Sequence, residues 1–298
     1  MSKPSSRPRA TLLRNKLAPH KKFGQNFLVH RQTAEAIVRA AGIEKEDIVI
    51  EVGVGLGALT APLAQAARHV LGYEIDSGIV RLHNEEGSLP ANVTLIHQDI
   101  LKADFREIVA RCGDRLKIVA NLPYSISNPF IFTLIDNAAL LDSVTVMLQK
   151  EVAERLAAQP GSKEYGVPTL LLSSCATVKT VLHLSPAEFY PKPKVDSVVI
   201  RLDFRNRQVP RSLATEENFA LFRLLVRSSF NQRRKTIVNT LGQIDLLPPR
   251  DDRAEQKLAV AAAIVRAGLQ PDRRPETLSL EDFLRLTEEF AKARSIAI

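Results

Sequence analysis

The stretch of this 298-residue chain best equipped for chemistry is Asn121-Leu122-Pro123-Tyr124. An asparagine oxygen and the next residue's carbonyl can accept two N–H bonds from one amino group. The exocyclic amine of adenine is such a group. Its lone pair is delocalised into the ring, so it is a poor nucleophile until acceptors hold its hydrogens out of the ring plane. The Asn121 side chain and the Leu122 carbonyl supply those acceptors. Pro123 sets the local φ at about −65° and brings no donor of its own. Tyr124 offers a flat face on which an extruded base can stack, worth roughly 1–3 kcal/mol. No strong base is needed, because the amine becomes acidic once alkylated, and positioning carries most of the rate.

Three upstream features fit a ligand beside this tetrapeptide. Glu51-Val52-Gly53-Val54-Gly55-Leu56-Gly57 joins a predicted strand to a predicted helix. Glycines there let the backbone approach a ligand, and the helix start favours an anionic group. Gly53, Gly55 and Ala58 also satisfy the G-x-G-x-x-A pattern of a dinucleotide site. Glu74 ends the next strand, where a carboxylate can accept from both ribose hydroxyls. Asp99 follows the third strand and could accept from an adenine amine or simply cap the next segment. Gly53, Glu74 and Asp99 leave a nicotinamide dinucleotide and S-adenosylmethionine both open. The tetrapeptide favours the methyl donor, and no catalytic His or Tyr-x-x-x-Lys arrangement supports an oxidoreductase.

These residues need a sheet to hold them in one place. Apolar, β-branched runs predict strands at 47–52, 69–74, 93–97, 116–120, 143–149, 170–176, 177–184 and 195–204. Helical patterns fall between them, at 33–41, 58–67, 77–85, 129–137 and 151–159. Alternation of this kind means a mostly parallel sheet with helices on both faces, which binds ligands at the C-terminal ends of its strands. After Phe204 the texture changes to a polar linker and then helices at 216–230, 233–241, 252–267 and 280–292. The expected organisation is a flexible basic arm over 1–18, an α/β domain over 19–206 and a smaller all-α domain over 207–298.

Residues 1–22 carry seven Lys/Arg and no acid, whereas the remaining chain holds 34 basic and 33 acidic groups. Nearly all of the net +8 therefore lies in residues 1–22, which fits phosphate neutralisation or a solubility tail. No apolar run approaches the roughly 18 residues that span a bilayer. The N-terminus lacks the apolar core of a secretory signal, though its basic, Ser-containing composition leaves a mitochondrial transit peptide as an alternative. Cys112 and Cys175 fit reduced thiols, and no Cys/His spacing suggests a metal site. Arg223, Arg227, Arg233, Arg234 and Lys235 lie in a stretch with no acid between Glu217 and Asp245. They are candidates for an RNA face, together with Lys21 and Lys22.

Five motifs in order give the chain a resemblance to the ribosomal RNA adenine N6-dimethyltransferase family over about residues 19–240. They are Lys22–Leu28 (KFGQNFL), Glu51–Gly55 (EVGVG), Asn121–Ser127 (NLPYSIS), Gln149–Arg155 (QKEVAER) and Phe189–Ser197 (FYPKPKVDS). The resemblance implies a Rossmann-like, mostly parallel seven-stranded sheet of the class I methyltransferase type with S-adenosylmethionine as cofactor. Asn26, Leu28, Gly53, Glu74, Asp99 and Asn121 would line the cofactor site. Asn121, Leu122 and Tyr124 would hold the target adenine, with Pro123 shaping the turn and Phe189 stacking on the base's other face. The family often has Pro at Val54 and Arg at Lys150, and both departures keep the local chemistry. Leu122 and Asn128-Pro129-Phe130 are similar to the small-subunit branch rather than the 23S rRNA branch, which tends to have Ile at the Leu122 position. That branch implies a cytoplasmic monomer dimethylating two adjacent adenines near the 3′ end of 16S rRNA in immature 30S subunits.

Overall fold

The computed structural model describes residues 8–15, 25–205, 210–232, 234–247 and 252–295. By its internal contacts the chain forms two compact units. One comprises residues 1–153 and 176–206, the other 154–175 and 207–298.

The first unit is built on a seven-stranded sheet. Its strands are β2 (Ile48–Val52), β3 (His69–Glu74), β4 (Val93–His97), β5 (Leu116–Asn121), β6 (Leu141–Gln149), β7 (Thr177–Leu184) and β9 (Ser197–Asp203). They are ordered β4-β3-β2-β5-β6-β9-β7, with β9 antiparallel to both its neighbours and the other pairs parallel. Val49, Ile50, Val70, Val119, Val144 and Val146 are fully buried, as continuous apolar runs in a parallel sheet require. Strand order reverses between β2 and β5, and the register pairs Val52 with Ala120. That pairing puts the residues after Val52 beside Asn121, at the point where open α/β sheets take ligands.

Helices α2 (Arg31–Ala41), α3 (Thr60–Ala66), α4 (Ser77–Glu86), α5 (Phe105–Cys112) and α6 (Ser127–Asp136) alternate with these strands. Their starts and stops follow local chemistry. Asp76 caps α4 by accepting from the Gly78 and Ile79 N–H groups, and Asp104 caps α5 through Arg106 N–H. Gly42 and Gly87 end α2 and α4 in the left-handed region. A separate two-stranded ribbon pairs β1 (Phe27–Leu28) with β8 (Phe189–Tyr190), antiparallel.

Two parts of the chain differ from expectation. Within the arm, Pro8–Arg14 forms a helix, α1. Pro8 opens it, Leu12 is buried in a cluster with Phe27 and Ile79, and Arg14 pairs with Glu86 at 2.8 Å. The apolar anchor outweighs the basic composition that suggested flexibility. The remaining arm residues lie outside the described ones. The second difference is the expected strand over 170–176, which is instead helix α8 (Val167–Ser173). A short run such as Leu170-Leu171-Leu172 is compatible with either element, because periodicity cannot separate a buried strand from a buried helix. Here Pro168 starts a helix, and Thr169 Oγ1 donates to the Arg155 carbonyl.

That helix belongs to the second unit, so the expected α/β domain over 19–206 is interrupted. The interruption begins inside α7 (Lys150–Leu156), between Ala153 and Glu154. The unit also contains α9 (Glu216–Phe230), α10 (Ile237–Leu241), α11 (Arg253–Arg266) and α12 (Leu280–Ser295). Its core stacks Phe230 on Phe283 and sets Tyr165 edge-on to Phe230. The Tyr165 hydroxyl donates to the Leu278 carbonyl at 2.8 Å, so segment 154–175 is tied to the helices by polar as well as apolar contact. No helix among the described residues is long and apolar enough to cross a membrane.

Candidate active site

A cleft opens at the C-terminal ends of β2, β3 and β5, lined by Asn26, Phe27, Gly53, Gly55, Glu74, Asp99, Asn121 and Leu122. The glycine turn forms its floor. Gly53, Gly55 and Gly57 all have positive φ, at 80°, 53° and 80°. Gly53 is the most tightly constrained, because a Cβ there would lie 2.8 Å from the Asn121 carbonyl oxygen. Gly53→Ala is therefore expected to destabilise the protein by roughly 2–4 kcal/mol, through unfavourable φ plus a backbone clash. It should also displace Asn121 and lower kcat/KM by about 100-fold. Calorimetric melting and initial rates check both, and wild-type rates in this variant would show that the approach has no catalytic consequence.

Glu74 is 5% exposed and is held by three backbone donors. Gly55 N–H reaches one oxygen at 2.9 Å, and the Ile75 and Asp76 N–H groups reach the other, both at 2.9 Å. Burial pushes this carboxyl above its usual range; the Asp76 and Gly55 N–H groups act against that shift, and the Asp76 carboxylate reinforces it. A carboxylate has about four acceptor sites, so capacity remains for ribose hydroxyls. Asp99 fulfils the capping role, accepting from Leu101 N–H at 3.0 Å, while also lining the cleft. The capping role is thus observed, and it leaves the second carboxylate oxygen of Asp99 available at the cleft. Asn121 Nδ2 donates to the Asn26 carbonyl at 3.2 Å. A carbonyl can only accept, so the amide must present its nitrogen there, which leaves Oδ1 as an acceptor. Gln25 Nε2 donates to Asp76 at 2.9 Å, which ties the segment carrying Asn26 to the start of α4.

Two expected site residues are placed differently. Leu28 and Phe189 are 4% and 3% exposed and pack in the core with Ile37, Val119 and Met147; Leu28 also borders a small pocket beside the glycine turn with Gly53, Gly55 and Asn121, and Phe189 does not line the main cleft. The reason is the two-residue period of the β1–β8 ribbon. Their neighbours Phe27 and Tyr190 point to the other side, and Phe27 lines the cleft. Phe189 therefore packs among core side chains in this structure, on the opposite face of the ribbon from Phe27. Tyr124 is half-buried, with its hydroxyl 2.9 Å from Ser197 Oγ, and follows the cleft-lining Pro123.

Sequence reasoning missed Ile75 and Ile100, apolar cleft walls next to Glu74 and Asp99. Ile75 is 42% exposed, an unusual placement for an isoleucine that a flat apolar ligand would cover. The signal was present, since each follows directly on a predicted ligand residue. Glu51 was also missed as a titratable group. It is fully buried in the middle of the sheet, and neither of its oxygens has a hydrogen-bond partner among the described residues. Burial pushes its pKa up to about 8, opposed by the nearby Thr60 hydroxyl and reinforced by Glu74.

Of the candidate RNA contacts, Arg227, Arg234 and Lys235 are exposed, and Arg223 lies over the Phe219 ring at 5.7 Å. Lys21, Lys22 and Arg233 lie outside the described residues. No group of three His, Cys, Asp or Glu side chains among the described residues could hold a metal ion.

The seven-stranded order with antiparallel β9 beside β6, the glycine turn, Glu74 at the end of β3, Asp99 just past β4 and the Asn121 turn together define an S-adenosylmethionine-dependent methyltransferase. The cleft fits that cofactor. A glycine turn that a Cβ would fill, a buried carboxylate with spare acceptor capacity and two apolar walls match its carboxylate-bearing chain, ribose and adenine. Residues 16–292 match the model of the ribosomal RNA adenine dimethylase family, and the chain belongs to that family. It is 53% identical to ribosomal RNA small subunit methyltransferase A of Desulfotalea psychrophila, over 95% of both chains. It is 42% identical to the protein of the same name in Clostridium botulinum, over 90% of this chain and 93% of that one. Among solved structures it resembles a dimethyladenosine transferase from Plasmodium falciparum, with TM-score 0.73 and 28% identity, covering 90% and 98%. The 23S rRNA methyltransferase ErmE is similar at TM-score 0.63 and 25% identity, covering 89% and 100%.

Proposed function

We propose that this enzyme dimethylates the N6 amines of two adjacent adenines near the 3′ end of 16S rRNA, acting as a cytoplasmic monomer on immature 30S subunits. The observation that carries the reading is the Asn121 amide. Its nitrogen is engaged by the Asn26 carbonyl, so its oxygen is committed to accepting. With the Leu122 carbonyl it can hold both N–H groups of one adenine amine and release the nitrogen lone pair toward the cleft. Bound S-adenosylmethionine would supply an electrophilic methyl group on a sulfonium. Glu74 would hold the ribose, Asp99 and the two isoleucines the adenine of the cofactor, and Tyr124 would stack on the target base. Because the dimethylated product has no N–H left, the two acceptors lose their partners as the reaction completes, which favours release.

Small-subunit RNA is favoured over 23S RNA by the 53% identity to a small-subunit enzyme against 25% to a 23S enzyme. Exposed Arg227, Arg234 and Lys235 support phosphate contact from the helical unit. The test is transfer of labelled methyl groups to purified immature 30S and 50S subunits. We expect about four methyls per 30S particle, two on each of two adjacent adenines, located by mass spectrometry of nuclease fragments. Label confined to 23S rRNA would overturn the assignment.

A further inference from the structure

We propose that His83 is a positioning residue for the cofactor site, holding the glycine turn in its binding conformation through the Gly55 carbonyl. The proposal rests on the methyltransferase reading of the cleft and extends it to a residue outside the cleft.

His83 lies on the buried face of α4, one turn after Ile79, and is 6% exposed. Its Nε2 is 2.7 Å from the Gly55 carbonyl oxygen and its Nδ1 is 2.8 Å from Ser88 Oγ. The carbonyl can only accept, so Nε2 carries a proton. In the neutral ring Nδ1 then accepts from the Ser88 hydroxyl, and both nitrogens are satisfied.

A buried histidine with two partners is often only a satisfied core residue. Here the bond lands at the apex of the cofactor turn. Gly55 has φ of 53° and lines the cleft. Its N–H donates to Glu74 at 2.9 Å while its carbonyl accepts from His83 at 2.7 Å. The two polar groups of one glycine are thus fastened to the ends of two different elements, β3 and α4. Glycine has wide backbone freedom, and without the second fastening the peptide after Gly55 can rotate. Rotation would point a carbonyl oxygen at the space needed by an anionic or hydroxyl-bearing ligand. His83 therefore reduces the ordering that binding would otherwise require. Its Cε1 also lies 3.7 Å from where a Cβ on Gly57 would sit, so the ring packs along the turn as well as bonding to it.

The test compares wild type with His83→Leu, His83→Gln and Ser88→Ala, using calorimetric titration with S-adenosylmethionine and S-adenosylhomocysteine. Steady-state kinetics and melting temperature accompany each variant. His83→Leu should raise Kd and cofactor KM about tenfold, with kcat at saturating cofactor within about threefold of wild type. His83→Gln keeps an N–H that can reach the carbonyl and should restore Kd to within about threefold. Ser88 is exposed, so Ser88→Ala leaves the fold intact and should raise Kd two- to threefold by freeing the ring. Wild-type Kd in folded His83→Leu overturns the proposal, as does equal damage in the Leu and Gln variants. If His83→Leu does not fold, Ser88→Ala decides, and an unchanged Kd there overturns it. Absence of cofactor binding by wild type would instead sink the methyltransferase reading itself.

Discussion

Asn121→Ala is expected to lower kcat for methyl transfer by about 10³-fold while weakening S-adenosylmethionine binding by less than about tenfold. The asymmetry follows from what each atom does. Oδ1 would be an acceptor that matters only when the adenine amine is reorganised toward reaction, and removing one preorganised polar group of this kind costs about 10²–10³ in rate. Loss of positioning adds to it, since Nδ2 anchors the Asn26 segment over the cleft. The cofactor would keep the contacts proposed for Glu74 and Asp99, so its affinity should fall less. Asn121→Asp keeps an oxygen but loses the donor to Asn26 and should recover part of the rate. Single-turnover methylation with calorimetric cofactor binding checks this. A loss confined to cofactor affinity, with normal kcat at saturation, would remove Asn121 from the reaction itself.

The second large effect concerns stability. Glu51 has a pKa of about 8 in the folded chain against 4.5 for the exposed group. The folded protein therefore holds this proton more tightly than the unfolded chain does. Stability is then greatest below about pH 4.5 as far as this group is concerned, and declines as pH rises through about 8. The full difference corresponds to at most about 5 kcal/mol. Glu51→Gln removes the titration, and the variant should be the more stable protein at pH 9 by several kcal/mol while differing little at pH 5. Glu74, also raised, stays in both proteins and leaves a residual slope of the same sign. Urea unfolding at pH 5 to 9 measures this, and parallel pH profiles for the two proteins would mean that Glu51 ionises without penalty. The wild-type chain accepts this burden in the centre of its sheet, directly beneath the glycine turn, where a neutral side chain would serve packing better.

Much of the site was legible because its residues sit at strand ends. Once β2, β3, β4 and β5 are recognised as parallel, Gly53, Glu74, Asp99 and Asn121 must gather on one edge, whatever the details of packing. The structure places all four in one cleft with Asn26 and Leu122. The chemistry proposed for the tetrapeptide is a local reading too: an acceptor, a carbonyl and a proline follow one another in sequence.

What sequence could not supply depends on which way a side chain faces once distant segments pair. Leu28 and Phe189 belong to a two-residue ribbon whose partner strands are separated by most of the α/β unit. A register shift of one would exchange the cleft-facing and core-facing members. Only the pairing of Leu28 with Phe189 puts both in the core and brings Phe27 to the cleft. The leucines of α8 are uniformly buried, and a uniformly apolar run carries no period from which to choose helix or strand. Leu12 anchors α1 only because Ile79 and Phe27 meet beneath it. His83 reads as one more polar residue on α4 until the fold brings the Gly55 carbonyl to it. The sequence by itself determined the parallel sheet, the acids and amide along its edge, and hence the family and the chemistry, because these follow from local pattern and strand polarity. The tertiary structure alone decided which aromatic and aliphatic groups face the cleft, where the helical unit takes in residues 154–175, and what fastens the glycine turn. Those outcomes depend on contacts between residues far apart in the chain, and no local preference encodes them.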